Sequence, residues 1–242
     1  MDQQFLRTQM LFGEDAMHIL KDSHVAVFGL GGVGSYAVEA LVRSGVGELT
    51  LVDNDTVSVT NLNRQLEALW STVGQNKTDA AARRCRDINP SVVLHPICGR
   101  YDAEHREDFF PVRYDYIIDA IDTVSSKLDL IETAQKRNIP ILSALGTGNK
   151  LDPSLLQITD ISKTYNCSLA RVVRKELKNR GITHLSVLFS PELPIKPEAL
   201  ETPPPGRHSV PASITWVPGC AGLMMGGEVV RQLIARKEAE KA

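Results

Sequence analysis

The sequence has no C-x-x-C pair, no long apolar run and no excess of either charge. Its four cysteines, Cys85, Cys98, Cys167 and Cys220, stand far apart. That spacing argues against a zinc clamp or a small disulfide scaffold and fits a reducing, cytoplasmic setting. Lys and Arg number 27 against 29 for Asp and Glu, a formal charge of −2, so a nucleic-acid partner would need a local basic surface. The most apolar late segment, Val217 to Ala235, is broken by Glu228 and Arg231 and rich in glycine. It falls short of the ~18 to 20 apolar residues a membrane span needs and reads as a packed helix. The first ten residues, MDQQFLRTQM, lack the apolar core and small-residue cleavage site of a secretory leader. What remains is 242 residues with 43% hydrophobic content, enough for a proper core in one or two domains.

The organising stretch is Val25 to Asp55, VAVFGLGGVGSYAVEALVRSGVGELTLVDND. It reads as strand, glycine turn, helix, strand. Gly29, Gly31 and Gly34 fit G-x-G-x-x-G, and Asp53 follows Gly34 by 19 positions, where an acid can take ribose hydroxyls. Glycines let the backbone approach a ligand, and free amides at a helix start attract phosphate. The pattern predicts nucleotide binding without choosing between NAD and ATP.

Before this stretch, residues 3 to 21 carry apolar positions at helical spacing, one or two short helices with Arg7 among them. After it, Val57 to Gln65 is a polar segment holding Asn61, Asn63 and Arg64 beyond a strand's carboxyl end, where doubly wound sheets bind ligands. Lys77 precedes an alanine-rich and arginine-rich helix. A cation there gains nothing from the helix dipole, so an anionic ligand would explain it, with a surface lysine as the alternative. Ser91 to Ile97, Tyr114 to Ala120 and Ile139 to Ser143 read as further strands, completing five that alternate with helices and predict a parallel sheet. Asp122, past the fourth strand, is a candidate magnesium ligand or sugar acceptor, or else the cap of the helix near Ser125. Beyond Gly146 come strands at Leu155 to Thr159 and Leu185 to Phe189 and a helix at Leu169 to Asn179. That helix carries Arg171, Arg174, Lys175, Lys178 and Arg180, either a solvated face or an RNA phosphate contact. Residues 192–213 hold six prolines and read as a mobile loop able to cover a site.

The ordered set of Gly29 to Gly34, Asp53, Asn61 to Gln65, Lys77 and Asp119-Ala120-Ile121-Asp122 resembles the ATP-dependent adenylating superfamily of ubiquitin-activating enzymes and sulfur-carrier adenylyltransferases. Within it, ALGTGNKLDPSLLQITDISKT, LARVVRKELKNRGI and SITWVPGCAGLMMGGEVV resemble the second half of the tRNA threonylcarbamoyladenosine dehydratase family. The resemblance implies an α/β, Rossmann-like fold, a mostly parallel sheet with flanking helices and an appended α/β C-terminal part. It divides the chain into a helical arm at 1–22, an ATP-binding part at 23–150 and a C-terminal part at 151–242. Gly29, Gly31, Gly32 and Gly34 would approach the phosphates of ATP, Asp53 would hold its ribose, and Asn61, Arg64 and Lys77 would bind the phosphate chain. Asp122 would bind Mg2+. Arg7 would reach the active site of the other subunit of a homodimer. The implied substrate is a modified tRNA anticodon arm, with no membrane and with a sulfur-relay partner protein left open.

The sequence departs from that family at Tyr165-Asn166-Cys167-Ser168, where a short proline-containing segment is usual. Cys167 and Cys220 invite a thioester or persulfide mechanism, but neither has an adjacent histidine or C-x-x-C context, so both read as buried or incidental thiols. Two other functions compete: adenylation of the C-terminal glycine of a sulfur-carrier protein, and non-catalytic NAD binding. The absence of cysteine pairs and the basic helix favour tRNA over a sulfur carrier. Arg7, Arg64, Lys77 and Asp122 together disfavour an NAD sensor, which has no pyrophosphate to stabilise.

Overall fold

A computed structural model describes residues 3–200 and 210–241. The N-terminal arm forms α1 (Leu6–Phe12) and α2 (Glu14–Lys21), separated by Gly13 at φ 84°. There follow β1 (His24–Phe28), α3 (Gly34–Ser44), β2 (Glu48–Asp53), α4 (Lys77–Ile88), β3 (Val93–Cys98) and β4 (Tyr116–Asp119). Next come α5 (Val124–Lys136), β5 (Ile141–Ala144), β6 (Gln157–Asp160), α6 (Ser168–Asn179), β7 (Ser186–Phe189) and α7 (Trp216–Lys241).

The strands form one sheet in the order β3-β2-β1-β4-β5-β7-β6. Every pairing is parallel except that of β6 with β7. Parallel strands joined by helices are covered on both faces, which explains why every residue of β1 is buried. Val25 and Val27 enter a core with α2, α3, α4 and α7, while Ala26 and Phe28 enter a second core with α5, α6 and an aromatic group of Tyr101, Phe109, Phe110 and Tyr114. β3 tolerates Pro96 because it pairs only with β2 and its outer edge needs no donor there. The C-terminal strands extend the same sheet: β7 pairs with β5, and β6 closes the edge.

The small residues of α7 meet α3. A Cβ on Gly222 would stand 2.2 Å from the Val33 carbonyl, and one on Gly226 2.5 Å from the Ala40 Cβ. The two helices therefore approach backbone to backbone, with Val217, Ala221, Met225 and Val229 buried alongside. Among the described residues, no helix is long and apolar enough to cross a membrane.

The strand order reverses direction about β1. From β1 the chain moves outward through β2 to β3, then returns to β4 on the other side. The carboxyl ends of β1 and β4 diverge into loops on opposite faces at this point, which opens a crevice in the sheet.

Candidate active site

A cleft of about 670 Å³ occupies this crevice. One wall is the glycine turn between β1 and α3. Gly29 has φ 89°, and a Cβ there would stand 2.7 Å from the Ala120 carbonyl oxygen, so only glycine fits between β1 and the end of β4. Gly31 and Gly32 line the cleft, but Gly34 does not appear in its wall. A Cβ on Gly34 would lie 1.8 Å from the Gly29 carbonyl oxygen, so its role is the tight packing of α3 on the strand turn.

Asp53, at the end of β2, ties the second wall to the first. One carboxylate oxygen accepts from the Leu30 amide at 2.7 Å and the other from the Asp55 amide at 2.8 Å. Lys77, the first residue of α4, sends its ammonium back to Asp55 at 2.9 Å and stands 3.8 Å from Asp53. Its side chain is 6% exposed, so the cleft holds a largely desolvated cation beside two carboxylates rather than a solvated surface lysine.

The segment after β2 forms a rim. Asn61 accepts from the Ser58 amide at 3.0 Å in a capping box. Arg64 donates to the Thr60 carbonyl at 2.8 Å and the Asn63 side chain at 2.9 Å, which holds its guanidinium over the opening. Asn63 donates to the Ser213 carbonyl at 3.1 Å and accepts from the Thr215 hydroxyl, lacing this rim to the chain that enters α7.

On the far side, Asp122 is exposed on the cleft wall between Ile121 and Thr123. The N-cap position of α5 falls on the next residue, Thr123. Beneath it, Asp119 accepts from Lys127 at 2.6 Å and from the Ile121 amide at 3.1 Å, with both charged side chains fully buried. Lys127 was not singled out in the sequence, since nothing in a lysine on an amphipathic helix signals burial.

The C-terminal part supplies a further wall, which sequence reasoning brought near the site only through the 192–213 loop. Residues 144–150 and 166–169 line the cleft, with Pro194 and Pro211 to Ser213. Lys150 is buried, donates to the Ser190 carbonyl, and has its pKa lowered by that burial. Cys167 caps α6 by accepting from the Ala170 amide at 3.4 Å, and a Cβ on Gly146 would lie 2.6 Å from its sulfur. Cys167 is therefore buried in the wall, while Cys220 is half-buried in α7. Parts of the 192–213 segment thus border the cleft, while residues 201–209 lie outside the described residues.

Arg7 and the basic residues at 171–180 lie away from this constellation. Arg7 is exposed on α1 and is absent from the wall of its own chain's cleft. Arg174 turns inward from the basic helix and donates to the carbonyls of Ile161 and Thr164, and Arg180 pairs with Glu132 at 3.6 Å, leaving Arg171, Lys175 and Lys178 exposed.

Behind the rim, Glu67 is 3% exposed and neither of its oxygens accepts a hydrogen bond. Burial is the main reason its pKa rises from the ordinary 4.5 to about 7, while Lys77 pulls it down and Asp53 pushes it further up.

The ThiF family profile matches residues 5–242. The tRNA threonylcarbamoyladenosine dehydratase of Bacillus subtilis is 44% identical, covering 98% of this chain and 97% of its own. The crystal structure of Escherichia coli tRNA N6-threonylcarbamoyladenosine dehydratase in complex with ATP superposes with a TM-score of 0.89 at 34% identity, covering 99% of this chain and 97% of that one. Salmonella typhimurium molybdopterin-synthase adenylyltransferase is 32% identical over 64% of this chain and 62% of its own.

Proposed function

The chain belongs to the ThiF family, and from that membership we propose that it is an ATP-dependent enzyme that dehydrates threonylcarbamoyladenosine in tRNA to its cyclic form, releasing AMP and pyrophosphate. The observation that carries this reading is the reach of the likeness to the dehydratases. It extends through the C-terminal part, where Lys150, Cys167 and Ser168 complete the cleft. A sulfur-carrier adenylyltransferase is the weaker reading, because that likeness spans less of the chain.

In the proposed reaction the threonyl carboxylate attacks the α-phosphorus of ATP and pyrophosphate departs. A nitrogen or oxygen of the same modification then attacks the activated carbonyl, the ring closes and AMP leaves, carrying the oxygen of the lost water. Charge grows on the leaving group in the first step, so positioning and electrostatic stabilisation are the protein's main tasks. Gly31 and Gly32 let the backbone approach the phosphates, Asp53 holds the ribose, and Asn61, Arg64 and Lys77 meet the phosphate chain. Lys77 would exchange Asp55 for phosphate. Asp122 is a hard oxygen donor exposed on the cleft wall, and a site that leaves most coordination to phosphate and water suits Mg2+. When bound there, that ion would neutralise charge on the phosphates.

The active unit in this reading is a homodimer in the cytoplasm. The arm at 1–22 serves the other subunit, 23–150 holds ATP, and 151–242 receives the anticodon arm, with Arg171, Lys175 and Lys178 available for phosphate. Supporting the dimer, Arg7 stands on a helix that also exposes Leu6, Met10 and Leu11, an apolar surface that a second subunit would cover.

Purified protein is expected to form AMP and pyrophosphate from ATP when given tRNA bearing threonylcarbamoyladenosine. ATP–pyrophosphate exchange driven by a sulfur-carrier protein and not by the modified tRNA would overturn the reading. Mixing Arg7→Ala with Lys77→Ala, each inactive alone, is expected to restore activity through one intact site per mixed dimer. No recovery in a verified mixed dimer would refute the shared arginine.

A further inference from the structure

At the amino ends of the strands, opposite the cleft, three side chains that the reaction does not use converge on one face of the sheet. His24 opens β1 and pairs in register with Glu48, which opens β2, while His95 of β3 pairs with Thr50 two residues further along β2. Side chains two apart on a strand share a face. Parallel register therefore brings His24, Glu48, Thr50 and His95 together on the side that also carries the aromatic group.

The distances are those of a cluster rather than a chance proximity. His24 Nδ1 lies 3.4 Å from Glu48 Oε1, and His95 Nε2 lies 2.6 Å from the same oxygen. One ligand atom from each of the three residues falls within 4.8 Å of the others. Around a tetrahedral ion with bonds of about 2.0–2.2 Å, neighbouring donor atoms stand roughly 3.3–3.6 Å apart. The cluster reaches that spacing through small rotations of Glu48 and His95, whose side chains are 36% and 43% exposed.

His24 is the fixed member. Its side chain is 8% exposed, its ring meets Tyr114 edge-on at 5.0 Å, and Nε2 is held at 2.8 Å from the Thr50 hydroxyl. When Nε2–H donates to Thr50, Nδ1 turns its lone pair toward the Glu48 carboxylate, and a cation between the two relieves their repulsion. A hydrogen bond on the second imidazole nitrogen is also the arrangement that orients a metal-bound histidine.

We propose that His24, Glu48 and His95 form a site for one divalent transition-metal ion of the zinc class, with water as the fourth ligand. Two imidazoles and one carboxylate suit Zn2+, Co2+ or Ni2+ over Mg2+ or Ca2+, which take oxygen ligands. The ion staples the amino ends of β1, β2 and β3 together. It serves the stability of the sheet and leaves the chemistry at the opposite end unchanged.

The test titrates the full-length protein with Zn2+ by calorimetry and with Co2+ by visible absorption, with His95→Ala and Glu48→Gln in parallel. The wild type is expected to bind one ion per chain, to show the absorption of tetrahedral Co2+, and to gain thermal stability on adding Zn2+. Each variant is expected to lose affinity at least about tenfold, as ligand-sphere changes do, and to lose the thermal gain while keeping wild-type AMP formation. Cys98→Ser, which removes the exposed thiol, should bind as the wild type does. Absence of binding by the wild type, or equal binding in the wild type and either variant, would overturn the site. Substituting two partly exposed residues keeps the test independent of the buried His24.

Discussion

β2 and β4 lie on either side of β1, and each ends in an aspartate facing a lysine from the next helix. At β4 the pair is sealed: Asp119 and Lys127 are both fully buried, and Asp119 also takes the Ile121 amide. At β2 the pair opens only onto the cleft: Asp53 and Lys77 line it with side chains 8% and 6% exposed, Lys77 favours Asp55, and Asp55 is well exposed. A sealed pair can exchange its partner for nothing, so its charges can only hold the chain. An open pair can trade a carboxylate for a ligand's phosphate. Similar residue types at equivalent strand ends thus divide into a structural brace and, in the proposed reaction, a binding device according to what covers them.

The largest expected effect tests the brace. Lys127→Ala leaves Asp119 charged and unpaired in the core, and breaking a buried pair this way costs about 3–5 kcal/mol. Urea unfolding should report that loss, and a shift below about 1 kcal/mol would erase the contrast between the two strand ends. Next comes the device. Lys77→Ala is expected to lower the rate of AMP formation by about 10²–10³-fold, the usual scale for removing one electrostatic contact to a transition state. The same variant should keep most of its unfolding free energy, because Asp53 and Asp55 remain near the cleft and can be hydrated. Equal stability losses in the two lysine variants would mean that burial does not separate the two pairs.

Glu67 is a third case, a buried carboxylate with no lysine of its own. Its pKa is about 7 in the folded chain against an ordinary 4.5. A raised carboxylate pKa means the folded state keeps a proton that the unfolded state has released between these values. Stability from this group is therefore full below about pH 4.5 and falls as pH rises to about 7, by roughly 3 kcal/mol at most. Glu67→Gln is expected to be more stable than the wild type at pH 8 and to lose that advantage toward pH 4.5. A difference between the two that stays constant across this range would count against the buried charge.

Much of the nucleotide-binding half is legible in the sequence because its signals are local. The apolar run of β1, the glycine turn and Asp53 lie within one βαβ unit, where backbone physics leaves few alternatives. The rim is legible for the same reason, since Asn61 and Arg64 follow directly from the end of β2. Other features could not be read this way. Arg174 is one of four basic residues on α6, and only the fold of Ile161 to Thr164 beneath it shows that it ties down a turn. The cleft's C-terminal wall needs β7 inserted between β5 and β6, a non-sequential neighbour that brings residues 144–150 against 166–169. The packing of α7 on α3 needed the approach distances of Gly222 and Gly226, because a helix rich in small residues carries no address for its partner.

The kind of fold and the presence of a nucleotide pocket follow from local patterns along the chain. Alternating strands and helices force a parallel sheet, and glycines followed by an acid at the right interval shape its first turn. Tertiary structure alone decided which charges are sealed and which are open, and which strand neighbours which. It also decided that His24, Glu48 and His95, on three strands and up to 71 positions apart, share one face of the sheet. Burial and register arise from contacts between distant segments, and a residue's own neighbours in sequence carry no record of them.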